Sequence, residues 1–126
     1  MSDTAMPGEL AQELLETLSE WGTMVTIIIH GGSVFEFKGP FPKGSVAEGF
    51  YNLNGPVPGL HGHLNLKQVK QISFQDKQHR GRESYAFVFE NAEGEVIFKV
   101  FLGRDDKGEL LAEQKQRFLA MQQQYQ

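Results

Sequence analysis

The chain reads as an α+β domain: an antiparallel meander of about seven strands with a helix at each end, both packed on one face. Three features carry that reading. Leucines recur every four residues near the N-terminus. Short β-branched and aromatic runs then alternate with glycine-rich turns, and a second apolar helical period closes the chain. With 126 residues and no linker or internal repeat, residues 1–126 form a single domain, large enough to bury a core without staples.

Residues 1–6 are polar and expected to be disordered. From Pro7 to Trp21 the stripe Leu10, Leu14, Leu18 predicts a helix, with Pro7 in its first turn and Gly22 as its stop. "TMVTIIIH" (23–30) is a strand, "GG" a tight turn and "SVFEFKG" (33–39) the returning strand. "PFPKGS" is a loop and "GFYNLNG" (49–55) a third strand, broken by "PVPG". "LHGHLNL" (60–66), "VKQISFQDK" (69–77), "ESYAFVFEN" (83–91) and "EVIFKVFLG" (95–103) supply four more. Asp106 with Glu109 has the pattern of a capping box. The closing helix then carries Leu111, Phe118 and Tyr125 on one face.

In the "VIFKVFL" of the last strand only Lys99 is polar, so both of its faces are apolar. An antiparallel sheet with one wet face should alternate. Helices cover one side; a second subunit, a ligand or both must cover the other. Ten phenylalanines point the same way, to an aromatic core or to a surface awaiting a flat apolar partner.

Composition excludes several classes. The chain has no cysteine, hence no disulfide or thiol chemistry. A net charge of -4 disfavours nucleic acid, and the nearest basic cluster, "KQHRGR" (77–82), reads as a solvated hairpin tip. No apolar run spans a bilayer and no signal-peptide pattern is present, so the expected setting is the cytoplasm. There is no nucleophile elbow and no phosphate loop. The carboxylates Asp105 and Asp106 suit a helix start better than acid–base work. No catalytic constellation emerges.

The histidines carry what chemistry there is. His61 and His63 share one strand face, about 6–7 Å apart, with Gly62 between them to admit a close approach. His30 ends the first strand beside apolar residues. Three readings stand. A cupin-type metal site begins with His-x-His but needs a carboxylate four residues on, where Lys67 stands. The second reading is structural: exposed or hydrogen-bonded histidines on an edge strand. Or they ligate heme, whose flat macrocycle needs an apolar bed and basic groups at its rim.

The blocks "EWGTMVTIIIHGGSVFEFKGPFPKGS", "GFYNLNG", "GLHGHLNL" and "GEVIFKVFLGRDDKGELLAEQ", in this order over roughly residues 18–120, resemble the intracellular heme-utilisation carrier family of the HutX/ChuX type. The resemblance implies a saddle-like antiparallel sheet and a homodimer that resembles one chain of the HemS/HmuS-type heme proteins. It implies non-covalent b-type heme, bound after uptake and handed on to an acceptor protein. It matches the family's heme-contacting histidines to His30 and His63, as axial ligands of the iron, with His61 an extra histidine beside the second. Arg104 and Lys99 are candidates for the propionates, and Phe35, Phe37, Phe87 and Phe98 for wall or core. The alternatives are a reductant-dependent heme-degrading enzyme of the HemS/HmuS type and a structural or interaction domain without heme.

Overall fold

The computed structural model describes residues 5–55 and 59–126. Nine strands and two helices follow one another as β1 (Ala5–Pro7), α1 (Ala11–Leu18), β2 (Thr23–His30), β3 (Ser33–Pro40), β4 (Gly44–Ala47), β5 (Phe50–Leu53), β6 (Gly62–Leu64), β7 (Gln71–His79), β8 (Arg82–Glu90), β9 (Val96–Leu102) and α2 (Ala112–Gln124). The α+β class holds, but the strands divide into two sheets. One is six-stranded in the order β1-β7-β8-β9-β2-β3, the other three-stranded in the order β4-β5-β6. The chain is therefore not one continuous meander, because β2 pairs with β9 and closes the first long strand onto the last.

The hairpins follow their turn chemistry. Gly31 and Gly32, with φ of 60° and 80°, make the two-residue turn that suits the twist of β2 and β3. Arg80 and Gly81 do the same between β7 and β8, so "KQHRGR" is indeed a hairpin tip.

Four expectations are corrected. Ala5 and Met6, expected to be disordered, lie in β1, where Met6 pairs with Ile72 and is buried; residues 1–4 lie outside the described residues. The helix expected from Pro7 begins only at Ala11. Gly8–Leu10 form a 3₁₀ turn that leads into it, while Pro7 stays extended (ψ 145°), paired with Gln71 of β7, and Gly8 N–H donates to Lys70 O at 2.9 Å. The loop "PFPKGS" ends in β4, whose pairing with β5 is local. The last helix starts at Ala112, not at Asp106: Asp105 Oδ1 accepts from Lys107 and Glu109 N–H and closes a turn, and Arg104 bridges to Leu110. Of the predicted break "PVPG", residues 56–58 lie outside the described residues.

The core lies between the six-stranded sheet and the helices. Leu14, Leu15 and Leu18 of α1 join Met24, Ile72, Val100 and Leu102 from the sheet. Phe118 of α2 sits among Phe74, Tyr85 and Phe87, with ring centroids 4.9–5.4 Å apart. Phe89 stacks on Phe98 at 4.3 Å. Such ring pairs add about 0.5–1.5 kcal/mol each beyond the area they bury. Phe87 and Phe98 are therefore core, and most of the phenylalanine excess is explained by packing. Tyr51, Leu53 and Leu64 attach the small sheet to the same core. The other face of the large sheet has no helix among the described residues.

Candidate functional site

Strand parity sorts the site residues. Thr26, Ile28 and His30 share the helix side of β2, and across the pair Phe37, Phe35 and Ser33 face the same way. Thr26 is buried there, but towards the hairpin tip the face opens. Ile28 is 38% and Phe35 60% exposed, and His30 stands beyond them in solvent. Phe37 is half-buried, with the backbone at Gly59 close against its ring. Of the four phenylalanines considered for a wall, only Phe35 is bare.

His63 belongs to the small sheet. It pairs with Asn52, and Phe50, Asn52 and His63 share a face opposite to the core-facing Tyr51 and Leu53. The edge of Phe50 meets the imidazole at 6.2 Å between centroids and 68° between planes. Nδ1 of His63 is 2.6 Å from Oδ1 of Asn52. His63 lines two shallow clefts. One is shared with Ala47, Glu48, Phe50 and Asn52; the other runs to Leu64, Leu66, Val69 and Phe98. His30 lines neither. His61 precedes β6 and is exposed, and space is open over Gly62 between the two histidines. Among the described residues no group of three His, Cys, Asp or Glu gathers as a metal site, so a cupin-like centre has no ligand set here.

Lys99 and Arg104 fall elsewhere. Lys99 pairs with Ile27 and so faces away from His30. Both cations line a cavity of about 680 Å³ on the helix-free face, floored by Val25, Ile27 and Phe101. Lys38, Lys77, Arg80 and Arg82 join them, which places six of the chain's twelve Lys and Arg around one hollow, against Glu36 alone. Lys99 Nζ donates to Gln75 Oε1 at 2.9 Å. Burial first, then the neighbouring Lys77, holds the Lys99 ammonium below the ordinary lysine range, partly offset by Glu90. Arg104 is tied to the carbonyls of Gly108 and Glu83, and Arg82 to that of Gly108. His79 lines the same hollow, but His30, His61 and His63 do not.

The sequence reading missed Asn52, Phe50 and the concentration of charge on the helix-free face. Alternation along "GFYNLNG" places Phe50 and Asn52 on one side, but only the β5–β6 register sets His63 beside them. The basic hollow draws on β3, β7, β8 and β9, which a single sequence does not align.

The comparisons agree with this architecture. The family model described as Haem utilisation ChuX/HutX matches residues 4–121. The intracellular heme transport protein HutX of Vibrio cholerae is 52% identical over 118 residues, 94% of this chain and 61% of that protein. The chain thus spans about three-fifths of that relative's length. The solved structure of the heme binding protein ChuX is 31% identical, with a TM-score of 0.88 over 98% of this chain and 77% of its own. PhuS of Pseudomonas aeruginosa shares the fold, with a TM-score of 0.74 at 13% identity over 98% of this chain and 34% of PhuS. A family model over nearly the whole chain and a relative 52% identical over 94% of it converge: the chain belongs to the haem-utilisation ChuX/HutX family.

Proposed function

We propose that this chain binds heme non-covalently and hands it on, as a carrier in heme utilisation. The observation that carries the reading is the company of its histidines. His30 stands beside Ile28 and the 60%-exposed Phe35, and His63 beside the 42%-exposed Phe50. A soluble chain leaves large apolar side chains bare next to an imidazole where something flat and apolar comes to cover both. The donor set fits: neutral imidazole is a normal axial ligand of heme iron, and no carboxylate cage competes for a divalent ion among the described residues.

His63 is the first choice for the iron, because its ring is held, with His30 the second candidate and His61 the third. Bound heme would supply an iron with a coordination position for that nitrogen; the protein supplies the imidazole and the apolar flank. An open flank suits transfer, since a ligand on the surface leaves without the fold opening. Lys99 and Arg104 line the hollow on the other face, which weighs against a propionate role beside the same chain's His30 or His63. The names of HutX and ChuX, a heme transport and a heme binding protein, support the same reading.

We also infer a homodimer. The helix-free face ends at the β2–β3 tip in Ile29 and Val34, paired in register and 48% and 57% exposed. A second copy of the chain is the occupant that this apolar end fits.

Titration with hemin tests the carrier reading. The wild-type chain should give a saturable, stoichiometric Soret shift. His63→Ala should weaken it by at least the ~10–100-fold that loss of a ligand's outer-shell partner alone costs, and His61→Ala should leave it near wild type. Uptake that never saturates would end the proposal.

A further inference from the structure

We propose that Asn52 is a positioning residue for His63: it holds the imidazole in the tautomer with its proton on Nδ1 and so leaves Nε2 as a bare lone pair. The inference rests on the reading of His63 as an iron ligand, and it adds the group that prepares that ligand.

The argument begins with the amide. An asparagine side chain has an oxygen that accepts and a nitrogen that donates, and its orientation is settled by its neighbours. Asn52 Nδ2 lies 3.2 Å from Ser45 O, 3.2 Å from Ala47 O and 3.3 Å from Phe50 O. All three are carbonyl acceptors. With the amide turned over, its oxygen would confront three oxygens. The carbonyls of β4 and β5 therefore hold the NH₂ end, and Oδ1 is left to face the ring.

Oδ1 only accepts, and it is 2.6 Å from His63 Nδ1. That contact is attractive only if Nδ1 carries the hydrogen. Neutral imidazole has one N–H, so Nε2 is then unprotonated. Imidazole free in water prefers the opposite tautomer, with the proton on Nε2, which would have to be removed or moved before that nitrogen could bind a metal. The Asn52 contact makes that shift in advance. It also fixes the ring plane, with the Phe50 edge as a second support. A ligand histidine whose other nitrogen donates to an oxygen is the usual arrangement at metal sites. Among the described residues neither His30 nor His61 has a side-chain partner of this kind, and this separates His63 from its neighbour two residues away.

The test reads the tautomer directly, without heme. The full chain, labelled with ¹⁵N at histidine, is examined by long-range ¹H–¹⁵N correlation at about pH 8.5, roughly two units above ordinary imidazole titration. The His63 signals, assigned by their loss in His63→Ala, should show a protonated Nδ1 and a bare Nε2. A predominantly Nε2-protonated ring in the wild type overturns the inference. Asn52→Leu, close in shape but unable to accept, should move the population towards Nε2–H and weaken hemin binding by about 10–100-fold. Equal hemin affinity in Asn52→Leu and wild type, where His63→Ala binds weakly, also overturns the positioning role. If the wild type shows the expected tautomer but His63→Ala binds hemin fully, the choice of His63 as ligand fails while the tautomer stands. If Asn52→Leu does not fold, as judged by its amide spectrum, the wild-type tautomer alone decides.

Discussion

A single glutamine ties the last helix to two strand ends. Gln114 of α2 is 3% exposed, accepts from Gly103 N–H at 2.7 Å, and donates from Nε2 to Trp21 O and Thr23 O at 2.9 Å each. The backbone at Gly103 can come this close because it has no side chain: a Cβ there would stand 1.9 Å from Thr23 O. All three partners are backbone groups that water cannot easily replace. Gln114→Leu keeps the volume and strands them, at about 1–3 kcal/mol for each group left unsatisfied and about 2–4 kcal/mol in total after relaxation. The urea midpoint should fall accordingly with the slope unchanged; a midpoint within error of wild type would show that the partners re-pair. The sequence concealed this residue. The helical period points to Leu111, Phe118 and Tyr125, whereas a buried glutamine is recognised only once the strand ends it serves are seen beside it.

Between elements, β8 and α2 are joined by charge at the rim of the aromatic core. Lys115 Nζ is 2.7 Å from Glu83 Oε1, which also accepts from Tyr85 O–H at 2.6 Å. The bond from Lys115, then that from Tyr85, lowers the Glu83 carboxyl below its ordinary range, and the same carboxylate pushes Tyr85 up to about 12. The two shifts act at opposite ends of the pH scale. A carboxyl lowered in the folded state adds stability that is present above its unfolded value and is lost as pH falls through the folded one. A phenol raised in the folded state adds stability that is present below its unfolded value of 10.0 and is lost as pH climbs towards about 12. Glu83→Gln should flatten both limbs of a plot of urea midpoint against pH while changing neutral stability little, since solvent screens an exposed pair. Unaltered limbs would refute the coupling. At this scale much was legible: β2, β3, β7, β8 and β9 fall within a residue or two of their hydrophobic alternation, and "GG" marks its turn. What escaped was set partly by a distant partner and partly by local pairings that hydrophobic alternation does not mark. Met6 joins β7 rather than fraying and Pro7 joins it rather than opening a helix, β4 forms because β5 lies beside it, and Asp105 rather than Asp106 closes the turn before α2.

For the whole molecule, the unexpected feature is that one face of the large sheet is apolar at one end and strongly basic at the other. Ile29 and Val34 are bare at the β2–β3 tip, while Lys38, Lys77, Arg82, Lys99 and Arg104 ring the hollow further along. A two-fold interface is made of the same patch from both copies, and residues near its axis face their own counterparts. Two copies centred on the hollow would oppose their cations, whereas two copies centred on the hairpin tips would bury the apolar pairs and leave the cations towards the margin. The proposed homodimer should therefore depend on Ile29 and Val34 and should tighten with salt, since the Debye length falls from about 10 Å at 0.1 M to about 3 Å at 1 M and screens the residual repulsion. Sedimentation of the wild type should show a dimer that strengthens over that range, and Ile29→Lys with Val34→Lys should give a folded monomer. A double variant that sediments as the wild type, or a wild type that dissociates as salt rises, would move the interface off the hairpin and onto contacts made by charge. Hemin titration of the monomeric variant then bears on the site itself. If His63 and its flank belong to one chain, as the β5–β6 register places them, stoichiometry per chain and the Soret position should match the dimer's; a variant that folds, stays monomeric and no longer takes up hemin would mean that the partner copy completes the site.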